Sequence, residues 1–181
     1  MSPDEAARGL VQYIESLPDF VYHQVDPPYG HIGATIADTI LQANNRYDAN
    51  VTPRIQRILR QWPNATTVTA VLDLLNSIPA TAFLNWKGED RAIRFVSVVQ
   101  LLSREQVETE ADLQNWLMKD VNLHKLRAIN GVGPKTVDYV KIMVGLQSIA
   151  IDRRLLNFFD MASIRCSSSP SSGADRPRVS G

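Results

Sequence analysis

Residues 123–159, LHKLRAINGVGPKTVDYVKIMVGLQSIAIDRRLLNFF, leave the chain few ways to fold. Leu123, Leu126 and Ile129 form one apolar stripe, and Val137, Val140, Met143 and Val144 form a second. Both have helical spacing. Between them, Gly131-Val132-Gly133-Pro134-Lys135-Thr136 predicts a tight hairpin joining two helices. Glycines at 131 and 133 allow positive φ and close backbone approach. Pro134 suits the first position of the second helix, where its missing N–H costs nothing. The first-turn amides of such a helix point outward under a favourable dipole, which makes an anion such as a phosphate the natural occupant.

The surroundings restrict the partner further. Net charge over the 181 residues is zero, so attraction to a nucleic acid has to be local. Between residues 122 and 154, Lys125, Arg127, Lys135, Lys141, Arg153 and Arg154 outnumber Asp138 and Asp152. A glycine-rich hairpin with local positive charge is what sequence-independent gripping of a nucleic-acid backbone requires. The single Cys166 excludes an internal disulfide and any multi-cysteine metal or iron–sulfur site. The acidic, amphipathic start predicts no signal peptide, and no apolar run approaches membrane-spanning length. The expectation is a cytoplasmic monomer, nucleoid-associated if prokaryotic.

The rest of the chain predicts helices throughout. Ser2-Pro3-Asp4-Glu5 forms a capping box opening a helix to about Leu17, with Leu10, Ile14 and Leu17 buried. Residues 18–30 read as an irregular connection. Residues 31–44 form a helix with Ile32, Ile36, Ile40 and Leu41 near one face. Gly33, Ala34 and Ala37 permit close packing, and Gln42 lies near its end. Thr52-Pro53 reads as N-cap and first residue of a helix through Trp62. Its row of Arg54, Arg57 and Arg60 is either a solvated face or a phosphate contact. Further helices are expected over 65–78, to Trp86, over 92–102, from the Thr109/Asp112 capping box, and over 153–160 with Asp152 at its start. Short strands at 67–71 or 95–99 are the weaker alternative. The Ser-, Pro- and Gly-rich residues 166–181 predict a disordered tail.

INGVGPKT, followed by IAID and preceded by ATIADTILQAN, resembles the helix-hairpin-helix DNA glycosylase superfamily, in its endonuclease-III-like branch. The similarity spans roughly residues 31–160. It implies an all-α, glycosylase-like helical domain over 1–165 in two lobes. Residues 31–148 form a barrel-like lobe holding the hairpin (123–145), and 1–30 plus 149–165 form its partner, with the active cleft between. It further implies that Lys135 and Asp152 are catalytic. Gln42 would fill the gap left by an extruded base. Gly131, Val132, Gly133, Lys135 and Thr136 would hold double-stranded DNA, often with a monovalent cation on the hairpin carbonyls. No other cofactor is implied.

The chemistry that follows is base-excision repair. A damaged or mismatched base leaves the stack before its N-glycosidic bond is reached. The Asp152 carboxylate stabilises the oxocarbenium-like sugar. The Lys135 amine, in its neutral form, attacks the sugar carbon and adds Schiff-base AP-lyase activity. The chain departs from the family pattern in several places. Lys135 to Asp152 is one residue shorter than usual, and Arg153-Arg154 replaces the usual Thr-His or Val-His. Val137 stands where a small residue is typical. The four-cysteine loop is absent, as are the later helices, which reads as C-terminal truncation or a reading frame that departs from the family. Two alternatives stay open: a non-catalytic helix-hairpin-helix DNA-binding domain, and an inactive remnant. Asp138 could also pair with Lys135 along one helix face.

Overall fold

A computed structural model describes residues 2–21, 28–150 and 153–162. In chain order the helices are α1 (Pro3–Glu15), α2 (Ile32–Leu41), α3 (Thr52–Gln61), α4 (Val68–Leu75), α5 (Ala80–Leu84), α6 (Glu89–Arg104), α7 (Glu110–Leu117), α8 (Asp120–Arg127), α9 (Pro134–Met143) and α10 (Arg153–Met161). A π-helical turn, Tyr47–Val51, runs directly into α3. No strand occurs among the described residues, so the expected all-α class holds, and the β-branched clusters at 67–71 and 95–99 form the start of α4 with its cap and part of α6. No helix among them is long and apolar enough to cross a membrane. Asp152, Cys166 and the tail 166–181 lie outside the described residues.

The chain divides into two compact units, Met1–His23 with Asp152–Gly181, and Gln24–Ile151. In the smaller, the Ser2 hydroxyl accepts from the Glu5 amide while the Glu5 carboxylate accepts from the Ser2 amide, the capping box read from the sequence. α1 turns Leu10, Tyr13 and Ile14 inward, and the Tyr13 and Phe158 rings lie 5.3 Å apart.

The larger unit is built around α2. Every residue of this helix is buried, not only the face that carries Ile32, Ile36, Ile40 and Leu41. α3, α4, α6 and α9 pack against it. Gly33 is where the closest approach occurs. A Cβ there would fall 3.1 Å from Val71 and 3.2 Å from both the Ala65 carbonyl and the Phe83 ring. Trp62, Phe83 and Phe95 stack at 4.8 and 5.2 Å beside it. His31 caps the helix: its Nδ1 accepts from the Ala34 amide, which leaves Nε2–H to donate to the Trp62 carbonyl at 2.8 Å.

Two expectations about helix starts are corrected. Thr52 lies inside the helix rather than capping it, because the π-helical turn continues into α3. α4 starts at Val68, not Ala65, since the Thr67 hydroxyl accepts from the Ala70 amide and sets the cap there. Within the arginine row of α3, Arg54 and Arg57 are tied to neighbouring carbonyls while Arg60 is exposed. Arg54 Nε donates to the Asn85 carbonyl at 2.9 Å, and Arg57 Nη1 to the Ala82 carbonyl at 3.1 Å. Both satisfy carbonyls at the end of α5, where cations are favoured. Arg60 bonds back to Gln56 within its own helix.

α2 carries one charge, Asp38, with no side-chain exposure at all. A buried carboxylate is tolerated only when its lone pairs are satisfied. Three tyrosines do this. Tyr29 and Tyr47 donate to Oδ2 at 2.7 and 2.6 Å, and Tyr139 donates to Oδ1 at 3.0 Å. They come from the connection before α2, the π-helical turn and α9, so one carboxylate fixes three segments around the central helix. Burial raises the Asp38 carboxyl above its ordinary 3.8, with the three hydroxyls pulling it back. Burial also raises all three phenols, which keeps them protonated as donors.

Removing one donor by Tyr139→Phe is expected to cost about 2 kcal/mol in urea unfolding, the range for a hydrogen bond to a charged group. A raised acid binds its proton more tightly when folded. Its contribution is therefore full below 3.8 and is lost as pH rises through the folded value. The stability of the wild type relative to Asp38→Asn accordingly falls as pH is raised from 4 toward neutrality, measured by urea midpoints across that series.

Candidate nucleic-acid interface

α8 and α9 form the expected helical hairpin. Ala128 is the C-cap of α8, and the Val132 amide closes a turn onto the Ile129 carbonyl at 3.0 Å. Pro134 occupies the first position of α9, with Gly133 as its N-cap. Gly131 has φ +82°, the left-handed region that favours glycine. Gly133 does not: its φ is −95°, which any residue adopts. The expectation of positive φ at both glycines is corrected at 133. A Cβ built there meets nothing within 4 Å, so the fold itself makes no demand for glycine at this position.

The hairpin rests on a closed core. Val132 and Thr136 are buried, so they can reach a ligand only through their backbone. Beneath them α2, α6, α7, α8 and α9 leave a void of about 10 Å³ lined by groups such as Ile36, Leu102, Val132 and Val140. A void so small and so apolar stays dry and gives the hairpin a firm base. At the end of α9 the Val144 carbonyl accepts from Gln114 Nε2 at 2.6 Å, and Asp138 accepts from the Ser148 hydroxyl at 3.1 Å.

The local charge differs from a simple count of basic residues. Lys125 of α8 is 2.6 Å from Glu105, whose carboxyl this bond, with help from the Trp116 indole N–H, holds below its usual range. Lys125 is thus largely neutralised. The position of Arg94, not singled out in the sequence, adds to the hairpin's charge. Its Nε donates to the Asn130 carbonyl at 3.0 Å. Its guanidinium lies so close over Gly131 that a Cβ there would fall 1.9 Å from Nη2. A monovalent cation on the hairpin carbonyls would compete with this guanidinium for the Asn130 oxygen.

Of the residues read as functional, Gly131, Val132, Gly133, Lys135 and Thr136 are brought together on the hairpin. Lys135 is half-buried in the first turn of α9. Gln42 is the C-cap of α2, the helix against which α9 packs. Its Nε2 is buried without a hydrogen-bond partner among the described residues. An orphaned buried donor costs about 1–3 kcal/mol, and an acceptor from a ligand would relieve it. Asp152 lies outside the described residues, so its relation to Lys135 is not part of this geometry. The Asp38 cluster was missed in the sequence. Its one signal was a lone carboxylate within the apolar run IGATIADTIL.

Comparisons with known proteins add no relationship: no family model, no curated protein and no solved structure matches the chain.

The two glycines separate fold from function. Gly131→Ala is expected to destabilise by about 1–2 kcal/mol, because it forces a side chain into the left-handed region and displaces Arg94. Gly133→Ala should leave stability within about 0.5 kcal/mol of wild type. Chemical unfolding of the two variants side by side checks both.

Proposed function

We propose that this chain is a helix-hairpin-helix DNA glycosylase that grips duplex DNA through the 131–136 hairpin and releases a damaged or mismatched base. The observation that carries this reading is the hairpin. Gly131 turns the chain, Pro134 starts α9, and Gly133 is bare on a side where the protein needs no glycine. Backbone amides at such a turn bind phosphate oxygens without reading sequence. The resemblance of GVGPKT, IAID and the Gln42 helix to the glycosylase pattern supplies the chemistry.

In this reading the base is first extruded from the stack, and Gln42 takes up the vacated space. The N-glycosidic bond then breaks with its electron pair leaving on the base. Asp152 offsets the positive charge that develops on the sugar, which needs no proton transfer to the carboxylate. The Lys135 amine bonds to the sugar carbon, and loss of a proton and opening of the ring give a Schiff base from which the strand is cleaved by elimination. A non-catalytic DNA-binding domain is the second reading. It is favoured by the completeness of the hairpin within the Gln24–Ile151 unit.

Borohydride reduction in the presence of abasic-site DNA should trap a covalent adduct that Lys135→Ala abolishes. Wild-type protein that fails to trap lacks the lyase step. Base release measured beside Asp152→Asn then separates a hydrolytic glycosylase from a binding domain, because only the enzyme loses turnover in that variant.

A further inference from the structure

α6 carries Arg91 and Arg94 three residues apart, neighbours on one helical face. Arg91 Nη2 donates to the Ala43 carbonyl at 2.7 Å, immediately after Gln42, and its guanidinium lies 4.3 Å from the centre of the Trp86 ring. Arg94 reaches the other way, to the Asn130 carbonyl at 3.0 Å and the face of Gly131. One turn of α6 therefore spans the two stretches on which the DNA reading depends.

These two cations are set close together without an anion. No carboxylate among the described residues lies within ion-pair distance of either one. Asp90 stands four residues before Arg94, where a pair along the helix could form, and none does. Burial and the charge of Arg94 push the Arg91 guanidinium below its usual range. The arrangement is thus electrostatically unfavourable until an anion arrives. Each guanidinium has five N–H donors, and the bonds to the Ala43 and Asn130 carbonyls take one from each. The planar fork that remains matches a phosphate.

We propose that Arg91 and Arg94 form a phosphate-binding pair that holds the DNA strand between the hairpin and the Gln42 end of α2. This rests on the DNA-binding reading above and adds to it a side-chain contact that is absent from the hairpin motif. Each arginine acts while still holding its carbonyl, so the strand is gripped by groups already fixed in place.

The test is the salt dependence of binding to a fluorescent duplex carrying a tetrahydrofuran abasic analogue, read by anisotropy over a series of KCl concentrations. Each phosphate contact contributes about 0.9 to the slope of log K against log salt. The Arg91→Gln/Arg94→Gln double variant should lose about 1.8 from that slope, and Arg94→Gln alone about 0.9. The charge-conserving Arg91→Lys/Arg94→Lys variant should keep it, as should Arg60→Gln on α3. Circular dichroism establishes that each variant folds. If the double Gln variant does not, Arg94→Gln against Arg94→Lys decides the question. Wild-type binding with an unchanged slope in the Gln variants overturns the arginine pair and leaves the hairpin reading standing. No salt-sensitive binding by the wild type overturns both.

Discussion

A single buried carboxylate holds the larger unit in register. Asp38 sits inside a helix whose every residue is buried, and it receives hydroxyls from Tyr29, Tyr47 and Tyr139. Taking the charge out of water is costly, and three donors offset the cost only while all three segments stay in place. The cluster therefore gives specificity of arrangement more than raw stability. An apolar residue at 38 would remove the desolvation cost but would take away the acceptor that the three phenols share. The connection before α2, the π-helical turn and α9 would then lose their common reference point.

The hairpin inherits its position from that arrangement. α9 is fixed to α2 through Tyr139, one helical turn beyond Lys135. α6 is tied to the end of α2 by Arg91 and to the hairpin by Arg94. The Gly131 turn is thus supported from below by the packed side chains around Val132 and from the side by a guanidinium. Such rigidity suits a surface that has to present backbone amides in a fixed pattern, since a preorganised site loses less entropy on binding.

Local features of the fold were legible in the sequence because their causes are local. The capping boxes at Ser2/Glu5 and Thr109/Asp112 form as read, since each involves residues three apart. Pro134 starts α9 for a reason contained in the proline itself. What was not legible depends on residues distant in the chain. Asp38 could be seen to need partners, but nothing near it says that they stand at 29, 47 and 139. The arginines of α3 read as a plain surface row, and nothing near them in the chain says that Arg54 and Arg57 each give an N–H to a carbonyl at the end of α5. Gly133 looked like a turn glycine because it stands beside one. Only the backbone reveals that its conformation is ordinary and that the fold itself makes no demand for glycine there.

The central claim is that the 131–136 hairpin is where DNA meets this protein. It is tested most directly by following backbone amide resonances of the isotopically labelled chain as a short duplex with an abasic analogue is added. The amides of Gly131, Gly133 and Lys135 should shift first and furthest, with those around Arg94 and Gln42 following. Shifts confined to other surfaces, or no shifts at saturating duplex, would contradict the account.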